Sequence, residues 1–186
     1  MKLFVALQLA EESRRSLARA ARLWDRPQLR RVPERNYHLT LQFLGDPGES
    51  TPEDLTARLS RHWGPPDSAS QTQKTQPSVL ASALSGWDAF PTRSRPRVVF
   101  AAVEDPRRRI ASLADQAATV GLSAPHRPFV PHITVAYPRH RGSPIAVPEE
   151  APRVTLRFTS LALVNSSPGP GGSRYTILAR WSIPAA

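Results

Sequence analysis

One arrangement of segments occurs twice in this chain, and it limits the folds available more than any single residue does. A strand-like run, a helix-like run, a Pro-containing loop and a closing strand follow one another near the N-terminus, then again in the second half. Repetition on this scale sets how many similar units must pack together. In the first copy Lys2 to Leu9 reads as a strand, Glu11 to Trp24 as a helix and Tyr37 to Leu44 as the closing strand. In the second, Arg97 to Val103 reads as a strand and Pro106 to Val120 as a helix. Ile110, Leu113, Ala117 and Val120 recur there at helical spacing. Pro106 suits a first helical turn and Gly121 a stop. The repeat units span about 2–45 and 97–138 within one domain of 186 residues. Phe4 lies 34 positions before His38, and Phe100 lies 32 before His132. The pattern predicts two facing lobes built from a duplicated unit.

Each closing strand carries nearly the same four residues: His38-Leu39-Thr40-Leu41 and His132-Ile133-Thr134-Val135. On a strand, residues two apart share a face. His38 and Thr40 therefore look one way while Leu39 and Leu41 look into a core. Ile133 and Val135 do the same for His132 and Thr134. With five His and eleven Thr in the chain, roughly 0.3 His-x-Thr triplets are expected by chance, the false-positive rate a short motif must beat. Two occur, in matched surroundings. Brought together, the strands would place two acid–base groups and two hydroxyls around one small anionic substrate.

The remaining chain supplies more strands than helices. Thr51-Pro52-Glu53-Asp54 has the order of a helix start, running to about Trp63. Residues Gly64 to Ser78 are polar and Pro-rich, as an exposed loop would be. Val79 to Leu84 reads as a strand, and Ser85 to Arg97 as a turn-rich link holding Arg93, Arg95 and Arg97. Those three arginines either track an RNA backbone or form a solvated link. Arg153 to Asn165 and Arg174 to Ile183 are two long strands joined by a flexible loop over 166–173. Strands and helices do not alternate regularly, so an α+β fold with antiparallel sheets is expected.

The net charge is +10, and of 25 basic residues only Lys2 and Lys74 are lysines. Codon bias explains a preference for Arg over Lys but not a charge imbalance. A basic surface attracts polyanions, and the guanidinium fork grips phosphate in bidentate fashion. The charge therefore favours a nucleic-acid substrate. There is no cysteine, which excludes disulfides and thiolate metal sites. No apolar run reaches the roughly eighteen residues of a membrane span. No signal-peptide pattern opens the sequence, so a cytoplasmic location is expected.

These residues resemble the two-histidine (2H) phosphoesterase superfamily, with its two His-x-Thr/Ser-x motifs. They are most similar to the RNA 2′,3′-cyclic phosphodiesterases, also called 2′-5′ RNA ligases or LigT-like proteins. The resemblance runs through Leu3 to Leu7, Val32 to Gly45, Arg127 to Val135 and Arg174-Tyr175-Thr176. It implies a bilobal fold, pseudo-twofold, with two antiparallel sheets flanking a central cleft and helices on the outside. It implies hydrolysis of an RNA 2′,3′-cyclic phosphate end to a 2′-phosphate without metal or other cofactor, and reversible 2′-5′ ligation at the same site. His38 is then the proton donor and His132 the proton acceptor, with Thr40 and Thr134 on the phosphate oxygens. The residues alone leave the order of acid and base open.

Many relatives carry an Arg five positions after the second His, where it grips the phosphate. Here that position is Tyr137 and the next Arg is Arg139. A regular strand puts Arg139 on the face opposite His132, so a bend at Pro138 or a bulge is required for Arg139 to bind phosphate. Arg127 or an Arg from another loop is the substitute. Phe129 and Tyr137 are either base-stacking contacts or core. His62 and His140 read as solvated, and His126 as a surface residue near the second motif. Two other readings stand beside the leading one: a phosphodiesterase for a small cyclic nucleotide such as ADP-ribose 1″,2″-cyclic phosphate, and a non-catalytic RNA-binding module. No obligate protein partner is expected, and a monomer is the default.

Overall fold

The computed structural model describes residues 2–46, 48, 50–67, 79–120, 128–140, 145–148, 150–169 and 172–185. The expectations for Gly121, His126, Arg127 and most of the polar stretch ending at Ser78 lie outside the described residues. Eight strands and three helices follow in the order β1 (Lys2–Leu9), α1 (Glu11–Arg22), β2 (Leu29–Arg31), β3 (His38–Gly45), α2 (Pro52–Trp63), β4 (Leu80–Phe90), β5 (Val98–Val103), α3 (Arg109–Ala118), β6 (His132–Pro138), β7 (Thr155–Gly169) and β8 (Gly172–Trp181). A single 3₁₀ turn, Glu34–Asn36, leads into β3. Every strand pairing is antiparallel, as the α+β expectation requires.

The strands form two arms that share one long member. The first arm runs β3-β1-β7-β8 and the second β2-β6-β5-β4. β7 belongs to both. Its first residues pair with β4 (Thr155 with Ala83, Phe158 with Leu80), and its later ones with β1 (Phe158 with Leu9, Ser166 with Lys2). The arms meet again where Leu39 of β3 pairs with Ile133 of β6. The two sheets expected from sequence are thus continuous, because fifteen-residue β7 is long enough to serve both arms.

The repeat shows in the strand register. Leu7, Gln8 and Ala6 of β1 pair with Leu39, His38 and Thr40. Ala101, Ala102 and Phe100 of β5 pair with Ile133, His132 and Thr134. Each set matches the other at an offset of 94 residues. By this register the counterpart of Phe100 is Ala6, two residues beyond Phe4, the residue that sequence offsets had matched to it.

One face of the sheet is covered. Leu17 of α1, Leu55 and Leu59 of α2, and Ile110 and Leu113 of α3 share a core with Leu39, Leu41, Ile133 and Val135. Ile133 is fully buried, and Ile133→Ala would cost about 2–5 kcal/mol through reduced burial and the cavity left behind. A smaller cluster (Phe4, Ala6, Ala162 and Val164, with Tyr175 packed against it) lies apart from this core. Along β1, Phe4 and Ala6 alternate with core residues Leu3, Val5 and Leu7, so this cluster marks the opposite face.

Several boundaries depart from the sequence reading. α2 begins as expected: Thr51 Oγ1 accepts from the Asp54 amide while the Asp54 carboxylate accepts from the Thr51 amide, a reciprocal cap. α3 starts at Arg109 rather than Pro106. The Asp105 carboxylate accepts from the Ile110 and Ala111 amides, and Arg108 at φ 51° turns the chain into the helix. The supposed link after Leu84 is mostly strand, since β4 continues to Phe90 and buries Trp87 and Ala89 against the core. The loop expected over 166–173 shortens, because β7 extends to Gly169 and β8 resumes at Gly172.

Candidate active site

Both histidines are held in the same way. His38 Nδ1 lies 2.7 Å from the Asn36 carbonyl oxygen, and His132 Nδ1 lies 2.7 Å from the Val130 carbonyl oxygen. A carbonyl can only accept, so each Nδ1 carries the hydrogen and leaves Nε2 as the atom that can exchange a proton. The carbonyl belongs in each case to the residue two positions earlier. Each ring is also flanked by two aromatic rings. His38 stacks on Phe4 at 4.8 Å and meets Tyr175 edge-on at 5.1 Å. His132 lies 5.0 Å from Phe100 and 5.1 Å from Phe90.

The Leu39–Ile133 pair fixes how the motifs meet. An antiparallel register continued from that pair sets residue 38 across from 134 and residue 40 across from 132, which turns each histidine towards the other motif's threonine. Leu39 and Ile133 are buried in the core, which turns His38, Thr40, His132 and Thr134 to the other face. His38, Thr40, Thr134 and Tyr137 line one cavity of ≈ 800 Å³. His132 is not among its lining residues, although Thr134, two positions along, is. At His38 the Nε2 atom lies 3.1 Å from Thr40 Oγ1, so the hydroxyl donates to the neutral ring.

Three cations line this cavity, Lys2, Arg30 and Arg35, and Arg30 is the one on the strand beside the second motif. It sits in β2, paired directly with Tyr137 of β6, and its guanidinium lies 5.2 Å above the Tyr137 ring. Among the described residues no carboxylate pairs with it, and no Asp or Glu lines the cavity. Sequence reasoning missed Arg30 because a three-residue strand among arginines has no periodicity to read. The one available signal was its place just before Val32-Pro33 and the first motif.

The other arginine candidates do not converge here. Arg139, expected on the phosphate, is exposed, and its Nε donates to the Pro27 carbonyl at 3.0 Å. Its amide donates to Gln28 at 2.7 Å, so the chain beyond Pro138 follows the end of β2 away from the cavity. Arg93 braces the second arm by donating to the carbonyls of Trp87 and Val147. Arg95 and Arg97 are exposed and line neither cavity.

Of the two expected aromatic contacts, Tyr137 is at the cavity and Phe129 instead packs against the main core. His62 bonds Thr119 on the surface, and His140 is exposed. Among the described residues no group of three or more His, Asp or Glu is placed to hold a metal ion, and no helix is long and apolar enough to cross a membrane.

A β-bulge adds one further cavity residue. The β1–β3 register shifts between Val5 and Ala6, whose partners are Gln42 and Thr40. Leu41 is the extra residue, and the shift turns Phe43 to the face of its partner Phe4. Phe43 lines the cavity with 70% of its surface exposed.

The electrostatics favour neutral rings at both histidines. Burial, opposed by the bond to Asn36 and helped by the charge of His132, holds the His38 imidazole down at about 4. Burial also lowers His132, opposed by its bond to Val130. Burial, and then the nearby Tyr175, raise the Tyr137 phenol. An anion entering the cavity would reverse the bias at the histidines, since negative charge favours imidazolium.

Comparison with known proteins matches this arrangement. The family model for the 2′-5′ RNA ligase superfamily matches residues 9–170. A Thermus thermophilus protein named RNA 2′,3′-cyclic phosphodiesterase is 32% identical, with 98% of this chain and 90% of that protein covered. A protein of the same name from Escherichia coli K12 is 29% identical over 98% of this chain and 96% of its own length. The solved structure of E. coli LigT with 3′-AMP superposes with a TM-score of 0.73 at 29% identity, covering 99% of this chain and 98% of that one. With its paired His-x-Thr strands and a match over most of its length, the chain belongs to the 2′-5′ RNA ligase superfamily.

Proposed function

We propose that this protein is an RNA 2′,3′-cyclic phosphodiesterase that opens the terminal cyclic phosphate to a 2′-phosphate by two-histidine acid–base catalysis. The observation that supports this reading is the pairing of Leu39 with Ile133, which turns the two imidazoles and two threonines to one face, with His38, Thr40 and Thr134 lining the cavity that holds Arg30. Relatives bearing that activity in their names support it. The whole chain serves as one catalytic unit and as a monomer, its two arms each contributing one motif.

In this reading His132 Nε2 takes a proton from water as the water oxygen bonds to phosphorus. His38 Nε2 gives a proton to O3′ as the P–O3′ bond breaks, leaving the phosphate on O2′. Thr40 and Thr134 hydrogen-bond the non-bridging oxygens. Arg30 offsets the charge that grows on them in the transition state. The bound phosphate supplies the negative charge that His38 needs to hold its proton. Run in the same direction with a 5′-hydroxyl RNA end in place of water, the same groups form a 2′-5′ linkage and release O3′ as a hydroxyl. Both proton transfers pass through imidazole, so no metal is needed.

The test is product analysis. An oligonucleotide ending in a 2′,3′-cyclic phosphate is incubated with the protein in EDTA, and the position of the phosphate is determined. A 2′-phosphate supports the reading; a 3′-phosphate, or complete loss of turnover on chelation, refutes it.

A further inference from the structure

We propose that the groove on the far side of His38 is a second nucleotide subsite, holding the phosphodiester on the 5′ side of the terminal ribose. It rests on the reading just given. A cyclic phosphate occupies both O2′ and O3′, so the substrate can continue only through O5′, and any site beyond the reacting nucleotide must take that 5′ neighbour.

The main cavity is already large enough for one nucleotide. A second cavity of ≈ 420 Å³ nevertheless adjoins it, sharing Phe4, Arg35, His38 and Tyr175 and reaching on to Arg174 and Ile177. Arg35 and Arg174 are exposed, and among the described residues neither has a carboxylate partner. No acidic residue lines this cavity either. Val164, Ile177 and the Tyr175 ring give its otherwise polar lining an apolar, partly aromatic patch. Unpaired cations beside such a patch are what a single RNA strand requires: charge for the backbone, flat surface for the base.

The segments carrying the two cations are also tied. Asn36 Nδ2 donates to the Ser173 carbonyl at 3.0 Å, joining the turn that carries Arg35 to the hairpin that carries Arg174. The convergence favours a strand of RNA over a free cyclic mononucleotide.

The experiment compares kcat/KM for adenosine 2′,3′-cyclic phosphate and for a tetranucleotide with the same end, in the wild type and in Arg35→Ala/Arg174→Ala. The wild type should prefer the tetranucleotide by about tenfold or more, and the ratio should fall towards one in the double variant, with the thermal melting midpoint as the check on folding because Arg35 also lines the main cavity. The slope of log kcat/KM against log salt for the tetranucleotide should flatten by about 0.7 for each phosphate that the variant no longer neutralises. Equal kcat/KM on both substrates in the wild type, or a preference that survives the double substitution, overturns the subsite alone. A preference for ADP-ribose 1″,2″-cyclic phosphate that needs the two arginines, without one for RNA, assigns the groove to a small diphosphate and also overturns it. Absence of turnover on every substrate removes the proposed function, and the subsite with it.

Discussion

The two halves of the site are alike in backbone and unlike in surroundings. His38 and His132 use the same register, the same carbonyl two residues back and the same flanking by two aromatic rings. His38 alone has its Nε2 engaged by the threonine of its own motif, and it lines both cavities with Arg35. His132 lines neither and sits against Phe90 and Phe100. Matching backbone registers thus hold two imidazoles in unlike surroundings.

The largest expected effect tests whether both halves are needed. His38→Ala and His132→Ala should each lower kcat by about 10²–10⁴-fold on a cyclic-phosphate end. The double variant should be little worse than either, since groups acting as a unit are not additive. Steady-state rates that fall for only one of the two would break the comparison.

Arg30→Met should lower kcat/KM by about 10²-fold, on the scale of losing one donor to a developing oxyanion. Arg139→Ala should stay within about twofold, because an exposed group away from the site contributes little. Reversal of that order, measured side by side, would return the phosphate to the end of β6.

The threonines sharpen the asymmetry. Thr40→Val and Thr134→Val each remove a hydrogen bond to a charged oxygen, about 1.5–3 kcal/mol or roughly 10–100-fold. Thr40→Val also frees His38 Nε2, so it should be the more damaging and should alter the pH profile as well as the rate. Equal losses with identical profiles would show that the 3.1 Å contact at Nε2 has no bearing on proton transfer.

The smallest effect is a titration. Followed by NMR, His38 in the free protein should titrate near about 4, and His132 below the usual histidine value. Above its midpoint each ring is neutral. A nucleoside 2′-phosphate should raise the His38 midpoint, because the bound anion stabilises imidazolium. Protonation is easier in the unfolded chain, so His38 also makes stability fall as pH drops below about 6.5. A free-protein midpoint for His38 at or above 6.5 would contradict the burial described for it.

What could be read in advance followed the range of the interactions. The His-x-Thr strands were legible because alternation along a strand is local. So was the cap on α2, where Thr51 and Asp54 are three residues apart. Arg30 was not, because its place depends on pairing with Tyr137 more than a hundred residues away. Phe43 was hidden for a different reason. Strict alternation from His38 points it into the core, and only the bulge at Leu41 turns it outward. Arg139 needed a bend at Pro138 or a bulge to reach the phosphate, and its contacts to Pro27 and Gln28, more than a hundred residues away, were not legible. α3 began late because Asp105 outcompeted Pro106 as the start signal.

The contact between Leu39 and Ile133 works as a fixed gauge. Main-chain atoms set the width across that single rung at about 4.5–5.5 Å between Cα positions, whatever side chains surround it. The residues around the site can therefore change without altering the spacing of the two strands that carry the histidines.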